Sequence, residues 1–177
     1  MRKFKELYET LINEEHPIFK KTSIEAIKNR QKEKYPRWLK TQIDQGLINK
    51  TKDGYVANEV ISFYKHHLNE IPIPFYIVNY SYDCSNNNLT TLKNSPKKVL
   101  GMRFDCSYNK LKDLKGGPEY VAGDYMCNNN NLTSLEGLPK TIGGNFDCSN
   151  QKSGKEFNEN DILKVCKVKG KIITKRY

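Results

Sequence analysis

The chain has 177 residues, 37% of them hydrophobic and 28% charged, with a formal net charge of +10. That length holds one domain, or two small ones sharing a core. No apolar run is long enough to span a bilayer, and no signal-type stretch follows MRKFKELYET, so a soluble, cytoplasmic protein without membrane partners is expected.

The charge is uneven. Residues 1–70 hold 14 Lys/Arg against 10 Asp/Glu, residues 71–151 hold 8 against 7, and residues 152–177 hold 8 against 3. The basic excess therefore sits at both ends, which admits nucleic acid or an acidic protein as partner and proves neither.

Residues 1–70 read as helical. Phe4, Leu7, Tyr8, Leu11 and Ile12 follow the spacing of one helix face, and His16-Pro17 ends that helix. Thr22 or Ser23 caps a second helix with Ile24 and Ile27 inward. Pro36 fits the first turn of a third, carrying Trp38, Leu39 and Ile43 and ending at Gly46. Leu47-Ile48 and Tyr55-Val56 then flank a segment closing on Asp53-Gly54, a hairpin signal. A fourth helix is expected over 58–69, with Val60, Ile61, Tyr64 and Leu68 inward.

From about Tyr80 the chain repeats itself. Tyr82-Asp83-Cys84-Ser85, Phe104-Asp105-Cys106-Ser107, Tyr125-Met126-Cys127-Asn128 and Phe146-Asp147-Cys148-Ser149 recur every 21 or 22 residues. In each unit the aromatic and the cysteine stand two apart and share one face of a short strand. An Asn three residues after the cysteine (Asn87, Asn109, Asn130) stands where the chain leaves the strand, placed to bond backbone groups the bend leaves unpaired. Two leucines three apart fill the core, as in Leu111 and Leu114; a proline follows, then a glycine that permits a tight corner. The fourth unit stops at Asn150-Gln151. One unit cannot bury its own core, whereas stacked units can.

After Gln151 a terminal cap is expected. Asn158 fits a helix N-cap, Phe157 stands where it can staple onto Ile162, and Ile162, Val165 and Cys166 form an apolar face. Gly170 ends the element and Ile172-Ile173 supplies a closing strand.

Gly101, Phe104, Cys106, Asn109 and Leu111 follow the template of the leucine-rich repeat family, with glycine for the first leucine. Asn131–Pro139 is similar to the short repeats of bacterial effector proteins. The Gly143–Cys148 phrase and the Phe157–Ile173 tail resemble repeat proteins encoded by large tailed bacteriophages. The resemblance implies a solenoid with a non-enzymatic, protein-binding role, directed in a phage setting at a host protein, a defence protein included, that is modulated or inhibited. Three helices and a hairpin resemble a winged helix, which implies DNA binding through Arg37, Lys40, Thr41, Gln45, Lys50 and Lys52 as the alternative function. The fold expected is α+β: a helical, winged-helix-like domain (1–70) packed on a leucine-rich-repeat solenoid (71–151) with a helix/strand cap (152–177).

Strand alternation directs the residues flanking each aromatic and cysteine to solvent. The candidate partner-binding face is therefore Asp83, Arg103, Asp105, Ser107, Asp124, Met126, Asn128 and Asp147. Chemistry is not indicated. No phosphate-binding glycine loop, zinc-protease helix or serine-nucleophile turn occurs, and no Cys pair has metal-ligand spacing. Repeat-phase cysteines read as small buried hydrophobes. No catalytic residue, metal or cofactor is expected.

Overall fold

The computed structural model describes residues 35–175, so the first two expected helices lie outside the described residues. The chain divides into two compact units, residues 1–41 and 42–177. Residues 35–44 are helical and stop at Gly46, whose positive φ of 73° suits a residue without a side chain, as the sequence indicated. The hairpin also forms: β1 (Ile48–Thr51) pairs antiparallel with β2 (Gly54–Ala57).

The rest of the second unit is a two-sheet β-solenoid with a short cap helix. Each coil lays one short strand on a first sheet, turns a corner and lays another on a second. The first sheet runs through β2, β4 (Phe75–Val78), β6 (Lys98–Val99), β8 (Tyr120–Val121), β10 (Thr141–Ile142) and β12 (Lys167–Val168), with β1 on its outer edge. The second runs through β3 (Ile61–Ser62), β5 (Tyr82–Asp83), β7 (Arg103–Asp105), β9 (Asp124–Met126), β11 (Phe146–Asp147) and β13 (Ile172–Ile173). All pairings but the hairpin are parallel.

Two expectations are corrected here. Residues 58–69 are not a helix: they contain β3, which begins the second sheet. Ile61 and Phe63 are buried two apart, while Val60 and Tyr64 are exposed. The 21-residue phase relates Ile61 to Tyr82, Phe63 to Cys84 and Leu68 to Leu89, so this is a coil whose Cys and Asn have been replaced. The hairpin, for its part, is not a free wing, because β2 bonds β4 on its other side. Strand pairing thus crosses the boundary expected at residue 70.

The core is a set of columns. Tyr82, Phe104, Tyr125 and Phe146 are fully buried and stack in sequence, with ring centroids 5.7, 5.0 and 5.8 Å apart. Cys84, Cys106, Cys127 and Cys148 form the next column, and Val78, Val99, Val121 and Ile142 line the opposite sheet.

Beside the cysteines runs a column of side-chain amides. Asn109 Nδ2 donates to the carbonyls of Cys84, Cys106 and Ser107, at 3.0, 3.1 and 3.2 Å, and its Oδ1 accepts from Leu89 N–H at 2.9 Å. Asn87 does the same one coil earlier, reaching back to Phe63 and Leu68, and Asn130 one coil later. Gln151 takes the position next, donating to Cys127, Cys148 and Ser149 and accepting from Leu132. The repeats therefore do not stop at Gln151. The cap, too, is built as expected in outline. Asn158 accepts from Asp161 N–H and starts the helix Glu159–Val165, after which β12 and β13 complete another coil. Only Ile162 and Cys166 are buried; Val165, expected inward, is exposed because this seven-residue helix ends there and Cys166 is already extended.

Asn109→Ala should leave the buried Leu89 N–H without a partner and strip one of two donors from each of the Cys84, Cys106 and Ser107 carbonyls, which keep Asn87, Asn130 and the Asn86 N–H, lowering stability by about 2 kcal/mol. Chemical denaturation with a far-ultraviolet readout checks this; a loss near that of a surface Asn→Ala would contradict it.

Candidate protein-interaction surface

The expected solvent-facing alternation fails at the strand ends. Ser107, Asn128 and Asp147 are buried; Asp83, Asp105, Asp124 and Met126 are half-buried; of the eight candidates only Arg103 is exposed. The strands are two or three residues long, so the chain bends before the alternation can develop. Three of the bends are closed by a carboxylate. Asp105 Oδ1 accepts from Ser107 N–H at 3.0 Å and from Ser107 Oγ at 2.6 Å, and Asp83 with Ser85 and Asp147 with Ser149 do likewise. The next residue (Asn86, Tyr108, Asn129 or Asn150) takes φ near 55°. Asp124 Oδ1 accepts from Asn145 N–H at 2.7 Å. These carboxylates are structural parts of turns rather than an acidic stripe. Met126 and Asn128 occupy the Asp and Ser positions of their coil, and Asn128 Oδ1 is buried without a hydrogen bond.

Sequence reasoning missed a different surface. Between Val78 and Tyr82, Val121 and Tyr125, and Ile142 and Phe146 the corner has one length; between Val99 and Phe104 it is one residue longer. On the later coils the corner is small: Ala122-Gly123 and Gly143-Gly144. A Cβ at Gly123 would collide with the Met102 carbonyl oxygen, so the coils touch there. The longer corner instead pushes Met102 out to 83% exposure, beside Leu100 at 44%. Tyr80 stands on the preceding coil at 54%, and Gly101 lies directly against its backbone. Val60, exposed, marks the same corner one coil earlier still. Arg103 follows Met102 and reaches Asp105 at only 3.7 Å. The one signal available in the sequence was the single 22-residue interval, Cys84 to Cys106.

The residues read as nucleic-acid-binding are all exposed: Arg37, Lys40 and Thr41 on the helix at 35–44, Gln45 just after it, Lys50 on β1 and Lys52 in the hairpin turn. Thr41 Oγ1 donates to the Arg37 carbonyl.

Among the described residues no group of three or more His, Cys, Asp or Glu is placed to hold a metal ion. All five cysteines are buried thiols. Burial pushes the thiols of Cys84, Cys106 and Cys127 well above their ordinary range, Cys148 to about 12 and Cys166 to about 11, so none is poised as a nucleophile. No helix among the described residues is long and apolar enough to cross a membrane. No known protein family, curated protein or solved structure matches the chain.

Burial raises the Asp105 carboxyl above its ordinary range of 3.8, and the Asp83 charge adds to this, against the lowering effect of the Ser107 hydrogen bonds and Arg103. The folded state then holds its proton to higher pH than the unfolded chain, so this group's contribution to stability falls as pH rises from the unfolded value to the folded one. Asp105→Asn keeps the acceptor for Ser107 and loses the charge. It should flatten that decline and match or exceed the parent at neutral pH, whereas Asp105→Ala should lose about 1 kcal/mol or more. Denaturation midpoints between about pH 3 and pH 7 test this; an Asn variant with the parent's pH dependence would contradict it.

Proposed function

We propose that this chain is a non-enzymatic protein-binding module whose contact surface is centred on the Tyr80–Leu100–Met102 corner of the solenoid. The observation that carries this reading is the longer corner. An exposed methionine, leucine and tyrosine stand together on adjoining coils, where the later coils carry glycine and alanine. Large flexible and aromatic side chains of this kind bury much apolar area against a partner, and Arg103 beside them supplies a polar rim. The carboxylates that would have made an acidic face are held in turns, which leaves the apolar corner as the more prominent feature. The phage resemblance makes a bacterial host protein the partner class to test first.

A second reading, DNA binding, draws on the formation of both the helix at 35–44 and the hairpin after it, with Arg37, Lys40, Lys50 and Lys52 exposed. Phosphate contacts make affinity fall steeply with salt, whereas an apolar-centred contact depends on it weakly.

Tagged protein is used to capture partners from bacterial lysate with and without nuclease, at low and physiological salt, followed by quantitative binding to the protein recovered. Tyr80→Ala with Met102→Ala should weaken binding by about thirty-fold or more, the scale of losing a central anchor, with little change in stability because both side chains are exposed. Undiminished binding by the double variant would overturn the site. Recovery confined to nuclease-sensitive material, lost in Lys40→Glu with Lys50→Glu, would favour the DNA reading.

A further inference from the structure

The strands β10 and β11 have neighbours on both sides, but among the described residues the coil after them does not. β12 ends the first sheet and β13 ends the second. Lys167 and Lys169 N–H groups bond to carbonyls of Lys140 and Ile142, so the N–H and C=O of Val168 between them face the open side. The carbonyls of Lys171 and Ile173 accept from Phe146 and Cys148, which turns the N–H and C=O of Ile172 outward in the same way. Val168 and Ile172 are half-buried and continue the valine and aromatic columns of the core, leaving the last layer of both columns part-covered.

The charge around this edge is one-sided. On earlier coils two cations are matched from coil to coil, Lys97 to Glu119 at 2.9 Å and Lys115 to Glu136 at 2.8 Å, while Lys98, Lys110 and Lys140 make no ion pair among the described residues. In the cap, Lys164 pairs with Asp161 and Lys175 with Glu156. Lys167, Lys169 and Lys171 are exposed and have no carboxylate partner among the described residues. Lysines on a strand edge discourage pairing with an identical edge. Two-fold docking of a second copy would set these three cations against the same three.

We propose that the edge formed by β12 and β13 accepts an extended acidic segment of a partner protein, which hydrogen-bonds to the outward backbone of Val168 or Ile172 and neutralises Lys167, Lys169 and Lys171. Adding a strand to a sheet edge draws affinity from main-chain bonds and selectivity from alternating side chains. The occupant therefore alternates Asp or Glu with Val, Ile or Thr, the apolar residues covering Val168 and Ile172. This inference rests on the protein-binding reading but uses a surface separate from the Tyr80–Met102 corner.

The test is fluorescence anisotropy of the full chain against a labelled synthetic peptide alternating glutamate with valine and threonine. Its lysine counterpart, a copy N-methylated on alternate amides, and inorganic polyphosphate serve as comparison probes. The acidic peptide should bind. N-methylation should weaken it about tenfold or more by removing main-chain bonds, and Lys167→Glu with Lys171→Glu should abolish binding. Val168→Pro, which removes the outward N–H without removing a bond of the β10–β12 ladder, should weaken binding similarly while Val168→Ala stays within about threefold of the parent. Equal binding of the methylated peptide, or polyphosphate binding as tightly as the peptide, would overturn the proposal in favour of a simple charge or nucleic-acid contact. Sedimentation showing that the chain dimerises through this edge, with loss of the dimer in Val168→Pro, would overturn it in favour of a second copy. Failure of the peptide while the corner double variant still loses a captured partner would sink the edge inference alone.

Discussion

One hydrogen-bonded column holds the coils in register: the buried amides of Asn87, Asn109, Asn130 and Gln151. Each reaches carbonyls on its own coil and on the one before, and each accepts from an N–H on the one before. Those backbone groups lie where the chain leaves the strand; the N–H groups of Leu68, Leu89, Leu111 and Leu132 bond to the amide oxygens, while carbonyls such as that of Ser107 also accept from the preceding coil. A buried polar group without a bond is costly enough that this position tolerates few side chains. Glutamine is admitted at the end of the ladder because its amide presents the same donors and acceptor. The aromatic, cysteine, leucine and valine columns supply apolar burial, but side chains that merely pack do not fix register; the amides do.

A stack locked in this way constrains where variation is possible. At the strand ends the Asp–Ser bends turn carboxylates back into the backbone, so the acids that look most available are already engaged. At the corners, coils approach until glycine is needed, as Gly123 against Met102 shows. Extra length is accommodated only by bulging outward, and the one longer corner is where methionine and leucine reach solvent. The edge formed by β12 and β13 is another place where backbone groups among the described residues point outward. The two surfaces argued for binding are thus places where the repeat rule is relaxed.

Much of this was legible in the residues. The 21-residue phase gave the strands, the shared face of aromatic and cysteine and the Asn at the bend, and local capping signals gave the N-cap at Asn158 and the closing strand at Ile172-Ile173. The first coil was not legible. Val60, Ile61, Tyr64 and Leu68 have helix-like spacing, and Phe63 and His66 stand where the later coils have Cys and Asn. Only tertiary pairing of β3 with β5 separates the two readings. The candidate face was misplaced for a physical reason as well. Alternation predicts exposure along an extended strand, whereas strands of two or three residues hand their side chains to the next turn. The extra residue at the Leu100–Met102 corner was present in the 22-residue interval between cysteines, but which segment carried it depended on the register of both sheets.

The most direct test of the central claim is hydrogen exchange of the side-chain amides followed by nuclear magnetic resonance. If the column fixes the register, the Nδ2 protons of Asn109 and Asn130 should exchange as slowly as the buried backbone amides of Cys106 and Cys127, in a single cooperative opening. Exchange of those side-chain protons at the rate of the exposed Asn49 amide, with the backbone still protected, would show that the stack holds its register without them.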